Sequence, residues 1–238
     1  MLLPVGFVAI AAGIVVWTDF ALARATAACG DSRPVARGIR RRFRGGALIW
    51  ISLVLVLAAS GVLGQWERRP PPFMLVVVSI VVLGAVIARS SIGDRLSRGL
   101  PLASLVGLQA FRLPLELLMH QTARAGVMPE QMTYSGRNFD IITGITAVLL
   151  AIWLRAGRPT RSLVVGWNVM GLLLLANIVT VAALSTPQFA AFGSTPDRLN
   201  TFVTRAPYVL LPAVMVLAAW AGHLIVFRAL ARRAALSE

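Results

Sequence analysis

Four polar side chains, Gln109, Arg112, Glu116 and His120, stand three, four and four residues apart inside an otherwise apolar stretch. That spacing puts all four on one face of a helix. A charge in a bilayer interior costs about 2.5–3.5 kcal/mol on insertion scales, so it is expected to face other helices and to be paired or functional. Arg presents a fork of donors to a carboxylate or phosphate, and a positioned Glu or His can carry a proton. The chemistry suited to this stripe is capture of a small polar or anionic solute, or movement of protons, with Glu116 as counter-charge or proton carrier. Arg137, Asn138 and Asp140 follow in one short segment, Asn177 and Thr180 stand one turn apart further on, and Arg205 and Tyr208 precede the last apolar run. These eleven residues are expected to bind at a single outward-facing cavity if their helices pack together. A second reading stays open, in which Arg112, Glu116 and Asp140 form an ion-pair network that only fixes helix packing. Asp140 has a plain role in either case, because a carboxylate in a first helical turn is favoured by the helix dipole. Pro114 predicts a kink, since it lacks an N–H and presses on the carbonyl of Ala110.

Several chemistries are excluded. The chain has 23 Lys and Arg residues and every one is Arg, so no retinal-type Schiff base can form on a Lys. His120 and His223 are the only histidines and are expected near opposite membrane faces, which rules out both ligating one haem. His120, Glu116 and Asp140 could supply three zinc ligands, but their spacing is not diagnostic, and neither metal nor cofactor is expected. No GxSxG, HExxH, P-loop or dinucleotide fingerprint is present, so catalytic residues are unassigned and binding or transport is favoured over enzymatic activity. Two alternatives remain. One is a membrane enzyme for a lipid-like or isoprenoid substrate, with Glu116 or His120 as general base and Arg residues holding a phosphate or carboxylate. The other is a scaffold within a larger assembly.

The elements that must position these residues follow from hydropathy. Of 238 residues, 58% are hydrophobic and 13% charged, the mean hydropathy is +0.79 and the net charge is +14; a soluble domain has roughly a quarter of its residues charged. A bilayer core about 30 Å thick needs about 20 apolar residues in helix. Seven such runs stand out, at about 2–18, 47–64, 73–88, 100–121, 139–154, 162–184 and 206–227, which predicts an all-α integral membrane bundle of seven transmembrane helices forming one domain over 1–238. Sixteen Arg fall in alternate connections on one side, six on the other, and Arg112 lies inside the fourth run. The positive-inside rule then puts the N-terminus outside and the C-terminus in the cytoplasm, as expected of a bacterial inner-membrane protein. No basic residue precedes Leu2 and Arg follows the first run, the wrong polarity for a cleaved signal. Residues 22–46 form an Arg-rich cytoplasmic loop expected to meet anionic lipid headgroups rather than nucleic acid. Cys29 in that loop has no partner cysteine in the chain. Small residues such as Gly84 and Gly107 suit helix contacts within the chain or in a homo-oligomer.

The stretches Gln109–Glu116, Met132–Asp140 and Pro207–Pro212, together with Gly222–His223, resemble the signature segments of a family of uncharacterised bacterial multi-pass, seven-helix membrane proteins. The likeness covers about the C-terminal 60% of the chain. It implies a membrane bundle and no particular activity.

Overall fold

The computed structural model describes residues 2–157 and 159–234, and among these there is no strand. Among the described residues nine α-helices follow one another: α1 (Leu2–Ala28), α2 (Arg33–Ala59), α3 (Pro72–Arg89), α4 (Ser91–Gly99), α5 (Leu102–Leu108), α6 (Arg112–Arg124), α7 (Ile141–Arg155), α8 (Arg161–Leu184) and α9 (Leu217–Ala234). Six segments among the described residues are long and apolar enough to cross a membrane: Leu3–Ala28, Arg33–Ala59, Pro72–Arg89, Leu102–Arg124, Arg161–Leu184 and Leu211–Arg233. Helix α7 is apolar but only 15 residues long. The protein is thus all-helical with the makeup of a membrane protein.

The Arg-rich stretch 22–46 is helical apart from a tight turn at residues 29–32, where the sequence predicts a loop. Arg is a strong helix former, and Pro34 is tolerated in the first turn of α2, where no N–H partner is needed. The two helices are then clipped together. Arg40 and Arg44, one turn apart, both grip Asp19 of α1 through Nε and Nη2, at 3.2 and 2.6 Å and at 2.8 and 2.7 Å.

Two breaks in the helices shape the interior. The fourth apolar run is not one helix but α5 and α6 joined by a 3₁₀ turn at Gln109–Phe111. Pro114 stands in the first turn of α6, so its missing N–H weakens the ladder at that joint. The second break is a π-helical turn at Leu211–Val216 leading into α9. Pro212 lies within it and cannot donate to the turn before.

Helix α9 is the central post, with α3, α4, α5 and α8 packed on it, while α5 also packs on α7 and α1 on α2, α4 and α6. Gly84 meets the Trp220 ring on α9, and Gly107 lies against Ala151, so both small residues serve contacts within the chain. Trp50, Trp167 and Trp220 donate to Ala213 O, Thr146 Oγ1 and Val81 O at 2.8, 2.9 and 3.1 Å; their indoles tie neighbouring elements together. Short helix α4 starts with the Ser90 hydroxyl accepting from Ile92 N at 3.1 Å, an N-cap. Its Asp94 is the anchor of one end of the bundle, receiving Arg228 and Arg232 of α9 at 2.8 and 2.5 Å and also Arg95 and Arg98. Burial pushes the Asp94 carboxyl up, but hydrogen bonds from Arg232 and Arg98 outweigh burial and hold it well below the usual carboxylate range.

Candidate functional site

Arg112 is the first residue of α6, immediately after the 3₁₀ turn, and is 1% exposed. Its Nη1 donates to Asp140 Oδ1 at 2.6 Å and to Gly171 O at 3.3 Å. The close approach depends on Gly144 of α7, where an added Cβ would stand 2.5 Å from Leu113 N. No other residue lets α7 settle this deeply on the start of α6, and that depth brings Asp140 into reach.

Asp140 precedes α7 and does not cap it; the carboxylate is turned to Arg112 instead. Its Oδ1 also accepts from Thr143 Oγ1 at 3.1 Å. Its backbone N–H donates to Asn138 Oδ1 at 3.0 Å, an Asx turn that Asn is chemically suited to make. The Asn138 amide points the other way, donating to both oxygens of Glu116 at 2.8 Å and to Met132 O at 3.1 Å. Glu116 is 2% exposed. One guanidinium therefore lies with two carboxyl groups in the protein interior, with a single amide bridging the segments that carry them.

Behind Arg112 lies a second polar layer. Gln109 donates to Ala219 O at 3.2 Å and its amide packs where a side chain on Gly222 would stand. His223, fully buried, meets Asn168 Oδ1 through Nδ1 at 2.7 Å, and Asn168 Nδ2 donates to His223 O at 3.1 Å. The His223 ring occupies the space a Cβ on Gly171 would need, and Gly171 O is a partner of Arg112. Arg112 Nε and Nη2, Gln109 Oε1 and His223 Nε2 are enclosed and take no hydrogen bond among the described residues.

In front of the cluster is a cavity of about 560 Å³, within the size range of small-molecule sites. Arg112, Glu116 and Asp140 are its charged lining residues, Thr186 and Asn200 also border it, and most of its wall is apolar side chains of α3, α6, α8, the π-helical turn and α9. Val81 of α3 and Val169 and Leu173 of α8 line it and are also exposed on the outer surface. The rim is thus on the flank of the bundle, between two membrane-length helices.

The structure brings together Arg112, Glu116, Asn138 and Asp140, with Gln109 adjoining. It does not bring the other expected residues to the cavity. His120 is half-buried, 3.0 Å from Ser135 Oγ and stacked on Tyr134. Arg137 is exposed with its guanidinium over Phe192, Asn177 donates to Arg137 O at 2.7 Å, and Thr180 bonds back to Ala176 O. Arg205 is exposed, and Tyr208 packs edge-on against Phe7 and Phe202. Asn168, Thr143 and His223 are the polar residues that periodicity along one helix did not assign to the cluster. Their only sequence signal is a pair of small residues, Gly171 and Gly222, set beside them. No group of three His, Cys, Asp or Glu placed to hold a metal ion occurs among the described residues.

Fold and site together define an all-helical protein with six membrane-length apolar helices among the described residues and a buried Arg–carboxylate cluster bordering a largely apolar cavity. Residues 71–231 match the family described as Domain of unknown function (DUF8737), and the chain belongs to that family. The match spans α3 to α9 and so contains the whole cavity and its charged end. No curated protein and no solved structure matches the chain.

Proposed function

We propose that this protein is a seven-span bacterial inner-membrane protein that binds a lipid-like amphiphile, taken from the bilayer through the cleft between α3 and α8. Helix α7, the fifth span in chain order, is the shortest and completes the seven. Its 15 residues rise about 22 Å, and a short span is accommodated by local thinning of the bilayer. The Arg asymmetry orients the N-terminus outside and the C-terminus in the cytoplasm, with the basic ends of α1, α2 and α9 at anionic headgroups.

The observation that carries the ligand class is the composition of the cavity. Its lining is overwhelmingly apolar, its charged residues are the single cluster Arg112, Glu116 and Asp140, with Thr186 and Asn200 as further polar residues, and its rim is on the flank of the bundle. Such a shape suits a chain with a polar head better than a wholly polar solute, for which desolvation along the apolar walls would be uncompensated. Passage of a small polar solute or of protons fits less well, because His120, Arg137, Thr180, Arg205 and Tyr208 do not line a path to the cluster.

Native mass spectrometry of the protein released from detergent micelles tests the reading, with n-dodecanol as the added amphiphile. Ala176→Trp, which fills the cavity from α8, is expected to remove binding that persists in Val148→Trp on the outer face of α7. Equal binding in the two variants would refute it.

A further inference from the structure

Resting on the reading of the cavity as an amphiphile site, we infer that the headgroup it takes is a hydrogen-bond donor, hydroxyl or ammonium, and not an oxyanion. An Arg at the end of a pocket ordinarily suggests the opposite, since guanidinium forks bind carboxylate and phosphate. Here the fork is not offered to the cavity.

Elsewhere in the chain Arg40, Arg44 and Arg95 each grip a carboxylate with the edge formed by Nε and one terminal nitrogen. In Arg112 the same edge, Nε and Nη2, is enclosed, and the remaining nitrogen Nη1 is engaged by Asp140 Oδ1 and Gly171 O. An anion in the cavity would find no N–H of Arg112 that is both unpaired and accessible.

The free valence belongs to a carboxylate. Asp140 Oδ1 accepts from Arg112 and Thr143, whereas Oδ2 takes no hydrogen bond among the described residues and is not among the enclosed unpartnered atoms, although Asp140 lines the cavity. Oδ2 is therefore an acceptor that is not fully enclosed and keeps unused lone pairs, on a residue that lines the cavity. Glu116, the second cavity-lining carboxylate, accepts only the one amide of Asn138. The cluster sets two carboxyl groups against one guanidinium, so it holds more acceptor oxygens than Arg112 engages, which suits a head that donates a hydrogen bond. A head that donates to Asp140 Oδ2 satisfies it at no cost to the Arg112 ion pair.

The test is a series of single-chain ligands with one tail and four heads, titrated on the wild-type protein: n-dodecanol, dodecylammonium, dodecanoate and methyl dodecanoate. The alcohol and the amine are expected to bind at least about tenfold more tightly than the acid and the ester, the scale of one hydrogen bond to a charged group. If the acid or the ester binds as tightly as the alcohol, the donor assignment is overturned while the amphiphile site stands. If none of the four binds, the amphiphile site itself falls. Asp140→Asn is expected to reduce the preference for donor heads toward parity, and an unchanged preference in the folded variant overturns the assignment to Asp140.

Discussion

Removing Arg112 should be the most damaging single side-chain change in the chain, and the structure says by how much. The guanidinium is 1% exposed, bonds Asp140 at 2.6 Å and is the only cation among the three charged residues at the cavity end. Arg112→Met leaves Asp140 and Glu116 buried and facing one another without it. Breaking a buried pair by deleting one member costs about 3–5 kcal/mol, and at about 2–4 °C per kcal/mol for a chain of this length the midpoint of thermal unfolding should fall by about 6–20 °C. Asp140→Leu should cost less, because Arg112 then retains Glu116 as a counter-charge and Gly171 O as an acceptor. In the double variant Arg112→Met/Asp140→Leu only Glu116 remains charged, still held by Asn138. Its loss should undercut the sum of the single losses by about 2 kcal/mol, within the usual range for directly contacting residues. The assay is thermal unfolding of the detergent-solubilised protein followed by tryptophan emission, with all three variants measured side by side. Additive losses, agreeing to about 0.5 kcal/mol, would refute the argument that Arg112 is present to neutralise Asp140.

Two further outcomes are expected. Because the folded Asp94 carboxyl titrates below its ordinary range, the stability it contributes is complete above the unfolded value near pH ~4 and is lost as pH falls below it; thermal unfolding of Asp94→Asn should therefore depend less on pH in that acid range than the wild type does, and parallel curves would refute the arginine-hub account. Asn168 Nδ2 is committed to His223 O, so Asn168 Oδ1 must accept and His223 must carry its proton on Nδ1; with only two histidines in the chain, ¹⁵N spectra of His-labelled protein, assigned with His120→Gln, should show that tautomer, and an Nε2–H signal from His223 would refute it.

Much of this molecule is legible from its residues one at a time. An apolar run long enough for a bilayer has few stable alternatives to helix, because every backbone polar group must be satisfied inside the segment. Arg112 and Glu116, four apart in such a run, had to share a face, and Asp140 with its neighbours Asn138 and Arg137 had to start the next helix. His120 obeys the same periodicity, yet it lies at the far end of α6 and stacks on Tyr134, because a shared face does not place residues at the same depth. Arg205 and Tyr208 failed to join the cluster for a related reason. The chain between them and α9 passes through the π-helical turn at Leu211–Val216, and an α-helical count misjudges which residues then face inward. The helical continuation through residues 22–46 was hidden because a high charge density reads as a solvated loop, while the Asp19 carboxylate that organises Arg40 and Arg44 lies in a different helix.

Composition, periodicity and Arg placement thus determine the class of the protein, the existence of its apolar helices and the one charged stripe that lipid could not tolerate, because these depend on transfer energies and on spacing within a single segment. Which nitrogens of Arg112 are engaged and which enclosed, which carboxylate oxygen is left unpaired, and what lines the space beside them were decided by packing between segments. Gly144, Gly171 and Gly222 set those distances by lacking a side chain, and the consequence of a missing side chain depends on what fills the space, which is a property of the neighbouring helix and of no local pattern.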